Sequence, residues 1–486
     1  MQPFPSPAPP ERRGRLTAIA VLGAGFLVAS TIAVVEFVQL RAANERIEEL
    51  EAGGDAGGGG PLGELGDVFE DLLGETEGLF EGSGELGSLF KCLGGLGGLG
   101  GSGEAGTTVG EIAQQVESIR ELTFTHDVEP RFLGDQEMSD RVRELFLEEY
   151  TPELADIEQR LLTTLGAIPP GTDLRQLRSN AIGQQVAGFY EPETGELVVR
   201  QSGAEISAID RITLSHELDH ALTDQVLDIP LPDDPEIGRE DASLAALALV
   251  EGDATLVMQR YSATLGLGEQ FELLDPDAIA QAEAGLGGFP PYLEQELRFP
   301  YEEGLSFVCD LYAEGGWDAV NAAYEEPPTS TAQVLFPERY RAGEEVIDPG
   351  DAPSPGKGWR QEAQLELGAA NLLWLFSAPG GDRAAAIPDA EAAASAWRGG
   401  EVQIWARGKR TALSVALAGD ADLGPRLCEA TDAWYRASFS DDRESVPDPF
   451  YMVAEGEPQD AALLCEGPSV RLGIAPALRT AYRLVF

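Results

Sequence analysis

Two of the three histidines in this 486-residue chain lie four residues apart, in the segment HELDH at 216–220. On a helix this spacing places both imidazoles on one face, where they can bind a single metal ion. Apolar residues recur at helical intervals around them, at Ile212, Leu218 and Leu222. The segment therefore predicts a helix with a packing side and a chemical side. The alternative is a solvated helical face that carries an incidental His-Glu pair.

A zinc site that hydrolyses a substrate normally has three protein ligands and a water molecule, so the two histidines need a third partner. Segment 240–261 is apolar nearly all round and predicts a second, buried helix, with Glu251 in the middle of one stripe. A buried carboxylate needs a cation, a hydrogen-bond network or a proton, so Glu251 is the candidate third ligand. The alternative is an ion pair between Glu251 and an arginine such as Arg260. Asp241 is predicted to cap this helix, and Asp253 to point to its far side.

Glu217 directly follows the first histidine and is the candidate general base. Zinc lowers the pKa of a bound water toward roughly 7, and Glu217 can take that proton and deliver it to a leaving amine. These residue types in this pattern predict hydrolysis. The oxyanion needs a further donor, for which Tyr301 is the candidate and Tyr340 the alternative. His126 lies in a polar stretch and is predicted to be a surface residue.

These motifs resemble those of the gluzincin metallopeptidases, the thermolysin-like class of zinc enzymes. HELDHALTDQ at 216–225 is similar to their active-site helix, and ALVEGDAT at 248–255 to their glutamate helix. Further segments resemble an uncharacterised group of actinobacterial membrane-anchored metallopeptidases; they are 186–199, 249–261, 299–308 and 327–340. The resemblance implies a mostly helical, zincin-like catalytic domain that cleaves peptides or proteins. It also implies Zn²⁺ held by His216, His220 and Glu251, with Glu217 as general base.

The chain departs from the family pattern at three positions. Thr255 stands where an aspartate orients a zinc-bound histidine, so Asp224 or Asp253 would have to take that role. Ala332 and Phe336 stand where the narrower group implies a glutamate and a histidine. These differences keep open an alternative function, that of a catalytically weak or inactive gluzincin-fold binding or scaffold protein at the cell surface.

Two short apolar runs, at 186–190 and 196–200, flank the turn-forming segment EPETG. This pattern predicts a β-hairpin. In the gluzincin class an edge strand above the active-site helix binds the substrate backbone as an added strand, and the hairpin precedes that helix as the resemblance implies. The alternative is a purely structural hairpin.

The N-terminus carries a 20-residue apolar run without charges at 16–35, long enough to cross a bilayer as a helix. Arg12, Arg13 and Arg15 precede it, which favours an orientation with the N-terminus inside and the rest outside. We therefore expect a cytoplasmic segment at 1–15 and a single transmembrane anchor at 16–38, with the catalytic part extracytoplasmic. The alternative is a signal peptide cleaved near 40–43.

Beyond the anchor, composition divides the chain into three parts. Residues 39–108 are rich in glycine and glutamate and predict a flexible tether. Residues 109–345 predict an α+β, mostly helical catalytic domain that includes a helical run at 139–165. Residues 346–486 predict a smaller C-terminal α/β module, with a helix at 367–376 and two strands within 401–419.

Cysteines and net charge bound the compartment and the partners. Cys428 and Cys465 are the expected disulfide, with Cys309 buried and Cys92 loose in the tether; four free thiols are the alternative in a cytosolic chain. A formal net charge of −51 argues against a general binder of nucleic acid or anionic lipid. The expected partners are a peptide or protein substrate and, through the N-terminal helix, the membrane. The sequence makes no prediction of oligomeric state.

Overall fold

The computed structural model describes Cys92 and residues 106–201, 206–230, 240–266, 269–270, 289–350, 352–377, 387, 389–439, 451–454 and 459–486. These residues form an α+β structure, which confirms the predicted class. The predicted cytoplasmic segment, the anchor and most of the tether lie outside the described residues. Within the described ranges, every helix is too short or too polar to span a bilayer.

Four helices precede the HELDH segment. They are α1 Val109–Arg120, α2 Asp135–Glu149, α3 Pro152–Leu165 and α4 Leu174–Gln185. At the start of α1 the side chains of Thr108 and Glu111 accept hydrogen bonds from each other's backbone N–H groups, which forms a capping box. The predicted helical run 139–165 is two helices, because Thr151 caps α3 and Pro152 occupies its first turn.

A three-stranded sheet lies beside these helices. Its strands are β1 Arg131–Leu133, β2 Gly188–Glu191 and β3 Glu196–Arg200, in the order β1-β3-β2. β3 pairs with β1 in parallel and with β2 antiparallel, so the predicted hairpin is confirmed and β2 is an edge strand. Gly195 in the hairpin turn has a φ of 67°, a conformation that glycine adopts without steric cost.

The longest helices follow the hairpin and form the centre of the molecule. They are α5 Ala208–Val226, α6 Glu240–Ser262 and α7 Pro291–Glu325, followed by the short α8 Thr331–Leu335 and α9 Pro337–Arg341. α7 consists of two helical stretches joined at Gly316, whose φ is 64°. The prediction that Asp241 caps α6 is wrong. Asp241 lies inside the first turn of α6, where its carboxylate accepts hydrogen bonds from the backbone and hydroxyl of Thr331.

The C-terminal part is built on a six-stranded sheet with the order β4-β5-β6-β9-β8-β7. The strands are β4 Arg360–Glu366, β5 Trp397–Arg407, β6 Arg410–Gly419, β7 Tyr451–Ala454, β8 Asp460–Glu466 and β9 Ser469–Ala475. The helices are α10 Ala369–Ser377, α11 Ala390–Ala394, α12 Gly424–Phe439 and α13 Leu478–Arg483. The predicted helix at 367–376 and the strand pair within 401–419 are confirmed. The α/β assignment is wrong, because every strand pair of this sheet is antiparallel and the module is therefore α+β.

Apolar packing continues from the helical part into the C-terminal module. Trp374 of α10 meets Tyr292 and Phe299 of α7 edge to face, with ring centroids 5.5 and 5.7 Å apart. Such aromatic pairs add to the stabilisation that burial provides. α10 thus packs the C-terminal module against α7.

Both disulfides involve residues that the structure describes. Cys428 pairs with Cys465, as predicted. The expectation that Cys92 is loose is wrong, because Cys92 is buried and bonded to Cys309 of α7. Its carbonyl also accepts two hydrogen bonds from Arg260. The sequence contained both cysteines, but a pairing across 217 positions cannot be read from spacing alone.

Candidate metal centre

The structure brings His216, His220 and Glu251 together between α5 and α6. The two Nε2 atoms lie 3.0 Å apart, and Glu251 Oε2 lies 3.2 Å from Nε2 of His216 and 3.4 Å from that of His220. The relative exposure is 1% for His216, 7% for His220 and 1% for Glu251. Three potential ligand atoms thus converge in the interior of the protein.

The spacing of these atoms fits one zinc ion. Ligand atoms about 2.0–2.1 Å from a tetrahedral zinc ion lie roughly 3.3 Å from one another, close to the three distances observed. Glu251 Oε2 is fully buried, yet it lacks a hydrogen bond of good geometry within the described residues. A buried carboxylate oxygen in that state is stabilised by a cation. Two imidazoles and a carboxylate also match the donor types that zinc prefers.

The charges of these three groups favour a bound cation. Burial would raise the pKa of Glu251, but the facing histidines lower it to about 2, so its carboxylate is ionised. Burial would lower the pKa of His220, but Glu251 and the other nearby carboxylates raise it to about 9. Burial and the neighbouring His220 lower the pKa of His216. Protonated His220 therefore supplies the positive charge beside Glu251 that a metal ion would otherwise supply.

Glu217 lies against the edge strand β2. Burial raises the pKa of Glu217 to about 8, while a hydrogen bond from the backbone N–H of Tyr190 opposes the rise. A Cβ atom on Gly188 would lie 2.9 Å from Glu217 Cγ and 3.0 Å from Thr213 Cγ2. Only glycine leaves room for Glu217 at this point of the strand. A dication beside Glu217 would favour its ionised form, which is the form that a base requires.

Tyr301 reaches the site because α6 and α7 cross in backbone contact. A Cβ atom on Gly252 or on Gly304 would lie 2.2 Å from a carbonyl oxygen of the facing helix. Gly252 follows Glu251, and Tyr301 lies one turn before Gly304, so the crossing brings the phenol to the carboxylate. Burial, the charges of Glu251 and Glu217, and a hydrogen bond to Glu251 raise the pKa of Tyr301 well above its usual value. The hydroxyl therefore keeps its proton and remains a donor.

Other candidates lie outside the site. Tyr340 donates its hydroxyl hydrogen bond to the carbonyl of Glu326, so it is not the alternative donor that the sequence suggested. His126 is exposed, as predicted. Arg260 contacts the Cys92 carbonyl and stacks over Tyr312, so the alternative in which it pairs with Glu251 is wrong.

The carboxylates expected to orient a histidine have other partners. Asp224 accepts a hydrogen bond from the Tyr190 hydroxyl at 2.7 Å, and Asp253 accepts hydrogen bonds from Arg120 and Tyr324. Thr255 Oγ1 is buried without a hydrogen-bond partner in the described part of the chain.

Ala332, where the chain departs from the pattern of the group it resembles, lies beside the N-terminal end of α6. Its neighbour Thr331 bonds to Asp241, which is ten residues before Glu251 and therefore about 15 Å from it along the helix. Ala332 itself is buried in α8, and the guanidinium of Arg339 lies over the ring of Phe336. Ala332 is therefore set apart from the three converging ligand atoms.

A buried network behind the site was missed in the sequence. Arg120, at the end of α1, donates to Asp253 of α6 at 3.0 Å and to Asn321 of α7 at 2.7 Å, with its guanidinium 4.3 Å from the centre of the Trp317 ring. Tyr324 of α7 donates to the same carboxylate at 2.8 Å. Arg120 and Asp253 are both fully buried. One guanidinium thus joins three helices, and the carboxylate that it binds on α6 is two residues after Glu251.

Asp219 connects this network to α5. It lies one position before His220 and is fully buried, and its two oxygens lack hydrogen-bond partners among the described residues. Burial and the charge of Asp253 raise its pKa well above the usual value, while Arg120 opposes the rise. Asp219 is visible in the sequence as a charged residue inside the HELDH motif. The sequence did not show that Arg120, about 100 positions earlier, would lie near it.

Comparisons with protein-family models, curated proteins and solved structures found no match to this chain. The resemblance to gluzincins therefore rests on the sequence motifs alone.

Replacing Arg120 by methionine should weaken zinc binding about 10–100-fold, because Arg120 joins α1, α6 and α7 and its loss lets the helices that carry the site shift. The expected loss of stability is about 3–5 kcal/mol. Arg178→Met is the matched control, since Arg178 is also buried but pairs with Glu158 and Glu296, away from α5 and α6. Chelator competition should show weaker binding only for Arg120→Met. Equal zinc affinities in both folded variants would contradict this role.

Zinc affinity should rise with pH up to about 9. The metal-free protein holds a proton on His220 below its pKa of about 9, and the metal must displace that proton. Affinity should therefore fall about tenfold for each pH unit below that value. Chelator competition over a pH series measures the slope, and His126→Ala should leave it unchanged. An affinity independent of pH between about 7 and 8 would show that no such proton is displaced.

Proposed function

We propose that this protein is a membrane-anchored, extracytoplasmic zinc metallopeptidase that hydrolyses peptide bonds in a peptide or protein substrate. The observation that carries the proposal is the convergence of His216, His220 and Glu251 with Glu217 beside them. The HELDH motif supports the same reaction class, because it pairs two ligands with an adjacent base.

Each site residue has a defined task in this reaction. Zinc, held by His216, His220 and Glu251, would supply a Lewis acid that makes water acidic near neutral pH and polarises the scissile carbonyl. Glu217 accepts the proton of the attacking water and passes it to the leaving nitrogen. Tyr301 stays protonated, so its hydroxyl can turn from Glu251 and donate to the oxygen on which negative charge develops.

The position of β2 supports a polypeptide substrate. β2 is the edge strand of its sheet, and the N–H of Tyr190 points to Glu217. An extended peptide can add to such an edge by backbone hydrogen bonds, which would place its scissile bond near the base. The four described cysteines all form disulfides, which supports an oxidising, extracytoplasmic compartment.

The second candidate function is a catalytically weak or inactive scaffold on the same fold. The burial of the site favours it, since His220, the most exposed of the three ligand candidates, is only 7% exposed. A substrate must reach these atoms for hydrolysis, whereas a structural metal site is closed. Wild-type protein that holds one zinc ion but cleaves nothing in a mixed peptide library would support the scaffold.

Glu217→Gln should retain zinc and lose peptide cleavage by about 10²–10⁴-fold, because the amide cannot accept the proton of the attacking water. Mass spectrometry of a mixed peptide library measures cleavage, and metal analysis measures zinc. Glu302→Gln is the control, since Glu302 is next to Tyr301 in sequence but pairs with Arg298. Wild-type rates in Glu217→Gln would refute the assignment of the base.

Gly188→Ala should lower the cleavage rate by roughly 10–100-fold while zinc affinity stays within about twofold, because the added methyl displaces Glu217 but not the ligands. Gly134→Ala is the control, since a Cβ atom there meets nothing within 4 Å. A pH-rate profile and a zinc titration on both variants test the claim. Full activity in Gly188→Ala would show that the strand does not hold the base in place.

A further inference from the structure

Six cations cluster on one end of the C-terminal module of this strongly acidic chain. All six are exposed, and none forms an ion pair within the described part of the chain. They are Lys357, Arg407, Lys409, Arg410, Arg479 and Arg483. The full chain has 84 acidic residues against 33 lysines and arginines, so six unpaired cations in one place need an explanation. We call this surface the basic face.

The basic face is continuous. Arg407 and Arg410 lie opposite each other in the antiparallel register of the β5–β6 hairpin. The loop before β4 joins this hairpin to α13, because a Cβ atom on Gly358 would lie 3.6 Å from the guanidinium of Arg407, and one on Gly356 3.1 Å from that of Arg483. Lys357 stands between these two glycines.

Aromatic rings lie among the cations. On α13 and the residues after it, Ala481, Leu484 and Val485 are buried, whereas Arg479, Tyr482, Arg483 and Phe486 face outward. The outward set has the i, i+3, i+4, i+7 spacing of one helical face. Tyr482 and Phe486 stack with ring centroids 4.8 Å apart and are 36% and 59% exposed. The chain thus presents two cations and two aromatic rings together.

We propose that the basic face docks on a membrane surface that contains anionic phospholipids. Cations attract the lipid phosphates, and exposed aromatic rings are favoured at the depth of the headgroups. The overall charge of −51 does not forbid this contact, because screening limits electrostatic effects to about 8 Å at physiological salt. The net charge instead favours one orientation, with the basic face toward the bilayer and the acidic surfaces away from it.

The form of the surface favours a bilayer over a small anion. The cations lie on the hairpin turn, on the loop before β4 and on the outer side of α13, and they are exposed rather than gathered in a buried pocket. A site for a single anion would aim several buried donors at one point. An acidic polypeptide would also match the charge, but it would not need the outward aromatic pair.

The test uses the full chain in nanodiscs and measures deuterium exchange of residues 478–486 by mass spectrometry. One bilayer contains phosphatidylcholine alone, and the other also contains phosphatidylglycerol. We expect exchange at least about fivefold slower in the anionic bilayer, with the protection lost at high salt. Arg479→Glu/Arg483→Glu should abolish the protection. Arg426→Glu should retain it, because Arg426 is exposed and begins α12 at the opposite end of the sheet, where Gly424 contacts Pro468.

Three results would overturn the proposal. Equal exchange in the two bilayers would show that anionic lipid is not recognised. Protection already present in detergent without phospholipid would show that another protein segment or a second copy covers the face. Protection that survives the double charge reversal would show that the cations are not responsible. All three readouts are independent of zinc, so they do not depend on the proposed peptidase activity.

Discussion

The arrangement of the helical part depends on one electrostatic requirement, the stabilisation of the buried Glu251 carboxylate. This group is only 1% exposed, and an unpaired charge in the interior costs several kcal/mol. Two imidazoles on the facing helix lie within 3.4 Å of it, and together the three groups form a site for one cation. The glycines at the α6–α7 crossing and the buried Arg120 hold the helices around this site, since the glycines let α6 and α7 approach and Arg120 binds Asp253 of α6.

The site was predictable from the sequence wherever it depends on spacing along one helix. The i, i+4 histidines define one face of α5, and the stripe that contains Glu251 defines the inward face of α6. That the two faces meet was inferred from chemistry, because two histidines need a third ligand and a buried carboxylate needs a cation. Contacts between distant segments were not predictable in this way. Such contacts depend on how elements pack, and a residue type alone does not reveal its partner. Examples are Gly188 with Glu217, Arg120 with Asp253 and Cys92 with Cys309.

The fold shows the same division between local and non-local information. Hairpins and helix ends follow from turn and capping residues, as at Gly195 and Thr151. The sequence predicts an α/β module where the structure has an antiparallel sheet, because helix and strand signals in one segment do not state which strands are neighbours. The net charge is also a sum over the whole chain, so a total of −51 does not reveal that six cations lie together on one surface.

X-ray diffraction recorded on both sides of the zinc absorption edge tests the central claim most directly. The account predicts one anomalous peak about 2.0–2.2 Å from Nε2 of His216, Nε2 of His220 and a carboxylate oxygen of Glu251. A crystal grown with zinc that shows no peak there, or that shows Glu251 turned away from both histidines, would contradict it.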